Sequence, residues 1–195
     1  LLLTRVYYNC PSGLSDEFVE IYNPTSQTIN ISGWQVTDLE GRVSFPDDTF
    51  IQPLSHLLIT KNAEELFRQT GDIADFTYRE DVDMAGPVPM YYTVQPLLAN
   101  DHDEVLLLTN YRHVIDCVIW GDSIYTGDGW SGPPIPKIDY GTYMTRQRQY
   151  LDSNSSLDWD SPRAYGLGQT DLPQFSFSSS DVTVFARSPS RRRSR

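Results

Sequence analysis

Three histidines, His56, His102 and His113, are the side chains best suited to proton transfer or nucleophilic attack, and none stands in a catalytic setting. Phosphodiester cleavage through a covalent histidine intermediate needs two His-x-Lys pairs, one histidine to attack phosphorus and one to protonate the leaving oxygen. Here His56 precedes Leu57-Leu58, His102 precedes Asp103-Glu104, and His113 precedes Val114-Ile115. No G-x-S-x-G elbow, phosphate-binding loop or H-E-x-x-H motif occurs. No residue is therefore assigned a catalytic role, and the pattern argues against an enzyme.

The acids invite a metal reading. Asp101, Asp103 and Glu104 share one turn, and Asp38 with Glu40 lies in another that could converge on it. A calcium ion takes about six to eight oxygens, and no D-x-[DN]-x-[DN]-G loop is present. Solvated turns that end strands explain these acids more simply, so no cofactor is expected and calcium is the one ion left open. Glu17 and Glu20 lie three apart in a strand-forming stretch, so they face opposite sides, and one of them reads as a charge guarding a sheet edge. Cys10 and Cys117 cannot make a structural zinc site, which wants four ligands. They form one disulfide if their strands are neighbours, and otherwise two free core thiols. Asn30-Ile31-Ser32 and Asn154-Ser155-Ser156 match the glycosylation sequon, whereas Asn23-Pro24-Thr25 is excluded by its proline. Of the four tryptophans, Trp34, Trp120 and Trp159 read as core anchors. Trp130 lies in the irregular stretch Gly127–Pro136 with Tyr125 nearby, and this pair is the candidate partner contact, since loop aromatics are frequent hot spots.

Charge narrows the partners. The chain has 195 residues and a formal charge of −11, but five of its 15 basic residues sit in Arg187–Arg195. The preceding 186 residues hold 10 basic groups against 26 acids, a balance of −16. Such a body repels phosphate backbones, so nucleic acid is a disfavoured partner. No run of about 18 apolar residues exists, so nothing reads as a membrane-spanning helix. The chain starts at Leu1 rather than Met, and is expected to be a piece of a longer protein.

The elements that would position these residues are short strands. Leu2–Asn9 alternates and stops at a turn cluster, and Phe18–Tyr22 ends at Asn23-Pro24. Ile29 and Ile31 lead through Gly33-Trp34 to Val36. Val43 and Phe45, Phe50-Ile51 and Leu57–Thr60 follow, each bounded by turn residues. Asn62 is an N-cap for Ala63–Arg68, with acids in the first turn and Gly71 to stop it. Residues 72–96 read as a long excursion with one strand. Val105–Thr109 and Val114–Trp120 form a hairpin apolar on both faces, and Tyr140–Arg148 is a last strand. Roughly eight strands with turn signals every 8–12 residues predict an all-β, immunoglobulin-like sandwich with one short helix and long loops.

In order along the chain, several segments resemble the lamin tail domain. Asp16 to Asn23 (D-E-F-V-E-I-Y-N) match its opening motif, and Ile31, Ser32, Gly33 and Trp34 match its I-S-G-W, with Asp38 after it. Phe45, Pro46, Thr49, Ile51 and Pro53 match its F-P-x-x-T-x-I-x-P, and Asn62 stands at the end of the next strand. Leu98, Asn100, Asp101, Asp103, Glu104 and Val105 match L-x-N-x-x-D-E-V. Val114, Ile115, Asp116, Val118, Trp120 and Gly121 match V-V-D-x-V-x-Y-G, and Asp152, Asn154, Asp158 and Trp159 match D-x-N-x-x-x-D-W. The sequence departs from the family in the 72–96 insertion and in the loop at 127–136.

The resemblance implies one domain over residues 1–168, with 169–186 as a linker toward a further domain and 187–195 as a basic, unfolded tail. That tail reads as an altered terminus or as a partner-binding arm. It also implies a secreted or cell-surface setting, because similar copies occur in archaeal and bacterial proteins beside phospholipase D-like or nuclease-like parts. The expected role is non-catalytic: binding or positioning, with a protein, glycan or cell-envelope component as partner. The alternative is an accessory domain that shapes access to a neighbouring phosphodiesterase and has no ligand of its own.

Overall fold

The computed structural model describes residues 1–10, 16–78, 86–148 and 151–160, and the backbone alone of 163–164. In chain order the strands are β1 (Leu2–Tyr7), β2 (Phe18–Tyr22), β3 (Ile29–Asn30), β4 (Gln35–Thr37), β5 (Arg42–Ser44), β6 (Phe50–Ile51) and β7 (His56–Thr60). Helix α1 (Ala63–Thr70) follows, then β8 (Phe76–Thr77), β9 (Val88–Pro89), β10 (Tyr91–Tyr92), β11 (His102–Leu108), β12 (Val114–Gly121), β13 (Thr142–Thr145) and β14 (Arg163–Ala164). They make a seven-stranded sheet, β14-β13-β1-β2-β7-β8-β9, a five-stranded sheet, β10-β5-β4-β11-β12, and the small pair β3-β6. This is the expected immunoglobulin-like sandwich.

Alternation along the strands decides what fills the space between the sheets. Val6, Val19, Ile21, Leu57 and Ile59 from one sheet meet Val36, Val43, Val105, Leu107 and Val118 from the other in one buried cluster. Along one side the sheets are joined through β1 and β12. Leu3 donates its N–H to Asp116 Oδ2 at 2.7 Å, and the Tyr8 ring stacks on Trp120 with centroids 4.3 Å apart.

Each outer face carries an apolar patch as well, and each patch is covered. On the seven-stranded sheet Ala63 and Leu66 of α1 pack on Tyr7, Phe18, Leu58 and Tyr143. An eight-residue helix is marginal alone, and this one is held by that apolar contact and by its caps. Asn62 accepts from Glu65 N–H at 3.2 Å, and Gly71 donates to Phe67 O at 2.8 Å. Asn62→Ala removes the side-chain acceptor that caps Glu65 N–H. We expect it to lower stability by about 1 kcal/mol, read as a shift in the urea midpoint at unchanged slope. On the five-stranded sheet, Tyr125 and Trp130 lie over Leu106, Leu108, Cys117 and Ile119. This explains why the β11-β12 hairpin reads as apolar on both faces.

The excursion at 72–96 differs from its expected single strand. Its described part contains three two-residue strands that bridge the sheets. β8 pairs parallel with β7, the connection running through α1 as parallel neighbours require, and β9 pairs parallel with β8. The chain then crosses at buried Met90, and β10 pairs antiparallel with β5 on the other sheet. Periods of two cannot show in segments of two residues. The strand expected over Tyr140–Arg148 is shorter, Thr142–Thr145, because Gly141 still belongs to a turn in which its N–H binds Asn9 O.

Candidate functional site

Most polar residues of the recognisable motifs are inside the scaffold. Glu20, 3% exposed, lies on the central strand β2 rather than at an edge, which corrects the edge-charge reading. Its carboxylate takes Arg5 Nε at 2.9 Å and Nη2 at 2.5 Å, Thr4 Oγ1 at 2.6 Å and His56 Nδ1 at 3.1 Å. Burial alone would raise its pKa, but the Arg5 charge and the His56 hydrogen bond outweigh it and hold the group at about 2. Asn23, fully buried, donates to the carbonyls of Gln27 and Gln52 at 2.8 and 2.9 Å and accepts from Thr25 N–H at 3.0 Å. It closes the loop after β2, as a buried polar side chain that satisfies backbone groups must.

A second centre is Arg146, 1% exposed at its side chain. It donates to Asp116 Oδ2 at 2.7 Å, to Leu3 O at 2.8 Å, to Leu151 O at 3.1 Å and to Asp158 Oδ2 at 3.3 Å. Its guanidinium lies 5.1 Å from the Trp159 ring centre. Asp116 also accepts from Leu3 and Cys117 N–H, and burial pushes its pKa up to about 6 against the pull of Arg146. Asp158 in turn accepts from Ser153 N–H and Oγ at 2.8 Å each, and Asp152 accepts from Asn154 N–H at 2.9 Å. The D-x-N-x-x-x-D-W segment is therefore a clamp on one arginine. Gly121, the glycine that ends β12, has φ 62°, and a Cβ there would sit 1.8 Å from Asp101 O. Backbone approach alone explains that glycine.

Trp130 is half-buried over the β11-β12 face, and Tyr125 donates its hydroxyl to Asp128 O at 2.8 Å, so this pair covers the sheet. The neighbouring Ile124, 92% exposed, is the free apolar side chain of that loop. Trp120 and Trp159 are buried, and Trp34 is half-buried against the main core. Cys10 packs with the cluster under α1 and Cys117 with the cluster on the opposite sheet, so they are free thiols and the disulfide does not form. Burial, then the charges of Asp16 and Glu17, push the Cys10 thiol far up; burial and Asp116 do the same for Cys117. Neither is a nucleophile near neutral pH. Asn30 and Asn154 are both exposed; Asn30 Oδ1 accepts from Ser32 N–H at 2.9 Å, and Asn154 O accepts from Ser131. The linker and basic tail, 169–195, lie outside the described residues.

The two acid turns do approach each other, but Asp38 and Asp103 serve backbone amides, Asp101 pairs with Lys137, and Glu104 accepts from the Ser123 hydroxyl at 2.8 Å. Asp103 accepts from Ala99 and Glu104 N–H at 2.6 and 2.9 Å, and Trp120 Nε1 donates to Ala99 O at 2.9 Å. Burial first, with the Asp38 and Glu104 charges adding, raises Asp103 to about 6. Asp38, 1% exposed, accepts from Glu40 and Gly41 N–H on one oxygen at 3.1 and 2.6 Å, and from Leu97 N–H on the other at 2.7 Å. Among the described residues no group of three or more His, Cys, Asp or Glu is placed to hold a metal ion.

What Asp38 does organise is a ledge. Its two oxygens fasten the turn at 38–41 to the segment at 94–97, and Arg42 N–H adds a bond to Val94 O at 2.9 Å. The backbones are so close that a Cβ on Gly41 would lie 2.4 Å from Gln95 O. The aliphatic side chains left outside are Leu39, Val94 and Leu97, 57, 58 and 62% exposed, with Glu40 and Arg42 exposed beside them. Leu39 is also held at φ 72°, a conformation unfavourable by about 1–2 kcal/mol for an L residue. In the sequence this turn is marked by its acids, Asp38 and Glu40. The available signal was an apolar residue inside the polar turn Thr37–Arg42.

Together these features define an all-β sandwich module whose motif residues build loops and buried ion pairs. The model for the lamin tail domain family matches residues 1–122, and the chain belongs to that family. The 152–159 segment that clamps Arg146 lies beyond the matched span. No curated protein matches the chain. Among solved structures, a DUF4876 family protein from Bacteroides thetaiotaomicron is similar with a TM-score of 0.61 at 13% identity, over 89% of this chain and 74% of that one. At that identity the likeness concerns the fold alone. No helix among the described residues is long and apolar enough to cross a membrane.

Proposed function

We propose that this domain is a non-catalytic binding and positioning module of an extracytoplasmic multidomain protein, whose loops hold a protein, glycan or cell-envelope partner. The observation that supports this is the division between inside and outside. Glu20, Asn23, Asp38, Asp103, Asp116 and Arg146 are all occupied with scaffold groups, while aliphatic side chains stand exposed on loops. Chemistry needs polar groups free to meet a substrate; recognition can use exposed apolar ones. The test is retention of the isolated domain on cell-wall fractions across a range of salt. Retention supports the reading, and absence of retention at every salt concentration overturns it. The family resemblance further favours a phospholipase D-like neighbour in the parent protein. A reading frame carrying two His-x-Lys pairs beyond Phe185 is the expected finding, and a parent without them removes that association.

A further inference from the structure

We propose that the ledge formed by Leu39, Val94 and Leu97 is a docking surface for a basic amphipathic segment of a partner protein. This rests on the binding-module reading and names its site and partner class. Three aliphatic side chains, each more than half exposed, are presented by two backbone segments that Asp38 locks together. Leu39 adds backbone strain to this patch, as Leu54, 63% exposed at φ 54°, does elsewhere on the surface. An exposed leucine in a left-handed turn loses both burial and backbone comfort, where glycine or asparagine would lose neither. What sets Leu39 apart is that its strained backbone is fastened to the segment carrying two more exposed aliphatic side chains, Val94 and Leu97, which points to a use outside the core.

Charge selects the partner. Glu40 is exposed beside Leu39, and no ion pair forms on it among the described residues. Glu104 lies close enough for the Glu40 and Asp38 charges to act on it, so three acids of the two turns share one field beneath the ledge, with exposed Arg42 the one cation of that turn. With the body at −16 over its first 186 residues, a lysine- or arginine-bearing segment gains both apolar contact and attraction, whereas an acidic one is repelled. Trp130 and Tyr125, by contrast, are already engaged in covering their own sheet.

The test uses the full chain, labelled for amide NMR, and two short amphipathic peptides, one of leucine and lysine and one of leucine and glutamate. The Leu/Lys peptide is expected to shift the amides of Leu39, Glu40, Val94 and Leu97, and to bind more weakly as salt rises. The variant is Leu39→Asn, which suits the left-handed backbone. It should raise the thermal midpoint by about 2 °C through relief of strain and weaken the peptide about tenfold. Shifts centred elsewhere, equal binding of the Leu/Glu peptide, or unchanged affinity in Leu39→Asn overturn the proposal. So does concentration-dependent self-association through these residues in sedimentation, which would make a second copy the occupant. If wild type and Leu39→Asn are retained equally on cell-wall fractions, the ledge is wrong and the binding module stands. If wild type is not retained, the module reading itself has failed.

Discussion

Replacing Arg146 by alanine destabilises the domain by about 3–5 kcal/mol, the penalty for stranding a buried charge. A domain of this kind has about 5–15 kcal/mol in total, so the variant should lose a large part of its urea midpoint. The side chain holds Asp116, Asp158 and the carbonyls of Leu3 and Leu151 together, and ties β1, β12 and β13 to the 151–159 loop. Its removal leaves Asp116, fully buried, with two backbone N–H donors and no cation. The carboxyl can escape by taking a proton. Burial already raises its pKa to about 6 with the arginine present, and without it the value must climb further. The penalty is therefore smaller at pH 5 than at pH 8, growing by at most about 1.4 kcal/mol per pH unit above 6. Denaturant midpoints of wild type and Arg146→Ala at the two pH values check this. An equal loss at both would mean that Asp116 is not the stranded group. The double variant Asp116→Asn with Arg146→Met should recover part of the loss, because removing both charges avoids the uncompensated one.

Glu20→Gln is the second large effect, and its signature is its pH dependence. The folded pKa is about 2 against an ordinary 4.5. A depressed carboxyl stabilises the fold fully above pH 4.5 and loses that contribution as pH falls from 4.5 through 2. The shift corresponds to about 3 kcal/mol. The stability difference between wild type and Glu20→Gln should thus shrink toward zero as pH falls from 4.5 through 2. A difference that persists at pH 2 would show that Glu20 acts through packing rather than charge. Asp103 runs the other way. Its pKa, raised from 3.8 to about 6, gives a contribution present below 3.8 and lost as pH rises through 6. Only the difference curve, and not the wild-type profile, isolates Glu20.

The sandwich, helix α1 with its Asn62 and Gly71 ends, and the β11-β12 hairpin were legible in the sequence. Strands longer than four residues and caps at fixed offsets leave periodic or positional marks, and those marks are local. β8, β9 and β10 were not legible, because a two-residue strand is defined only by its neighbours across space. Glu20 shows the same limit from the side of chemistry. Its place in an alternating strand said which way it points, but a solvent-facing edge and a covered central strand look identical along the chain. Arg5 and His56, at 15 and 36 residues' separation, decide that it is buried and paired. Cys10 and Cys117 were open between disulfide and free thiols until the sheets placed them on opposite outer faces. The exposure of Trp130 and of Leu39 was hidden for a related reason. A tryptophan in a Gly-Pro loop looks exposed, and a leucine in a turn looks incidental, until folding lays one over an apolar sheet and leaves the other in water. Local pattern thus determined the class of fold. Exposure, and with it every candidate contact, was decided by which segments tertiary packing brought to cover which faces.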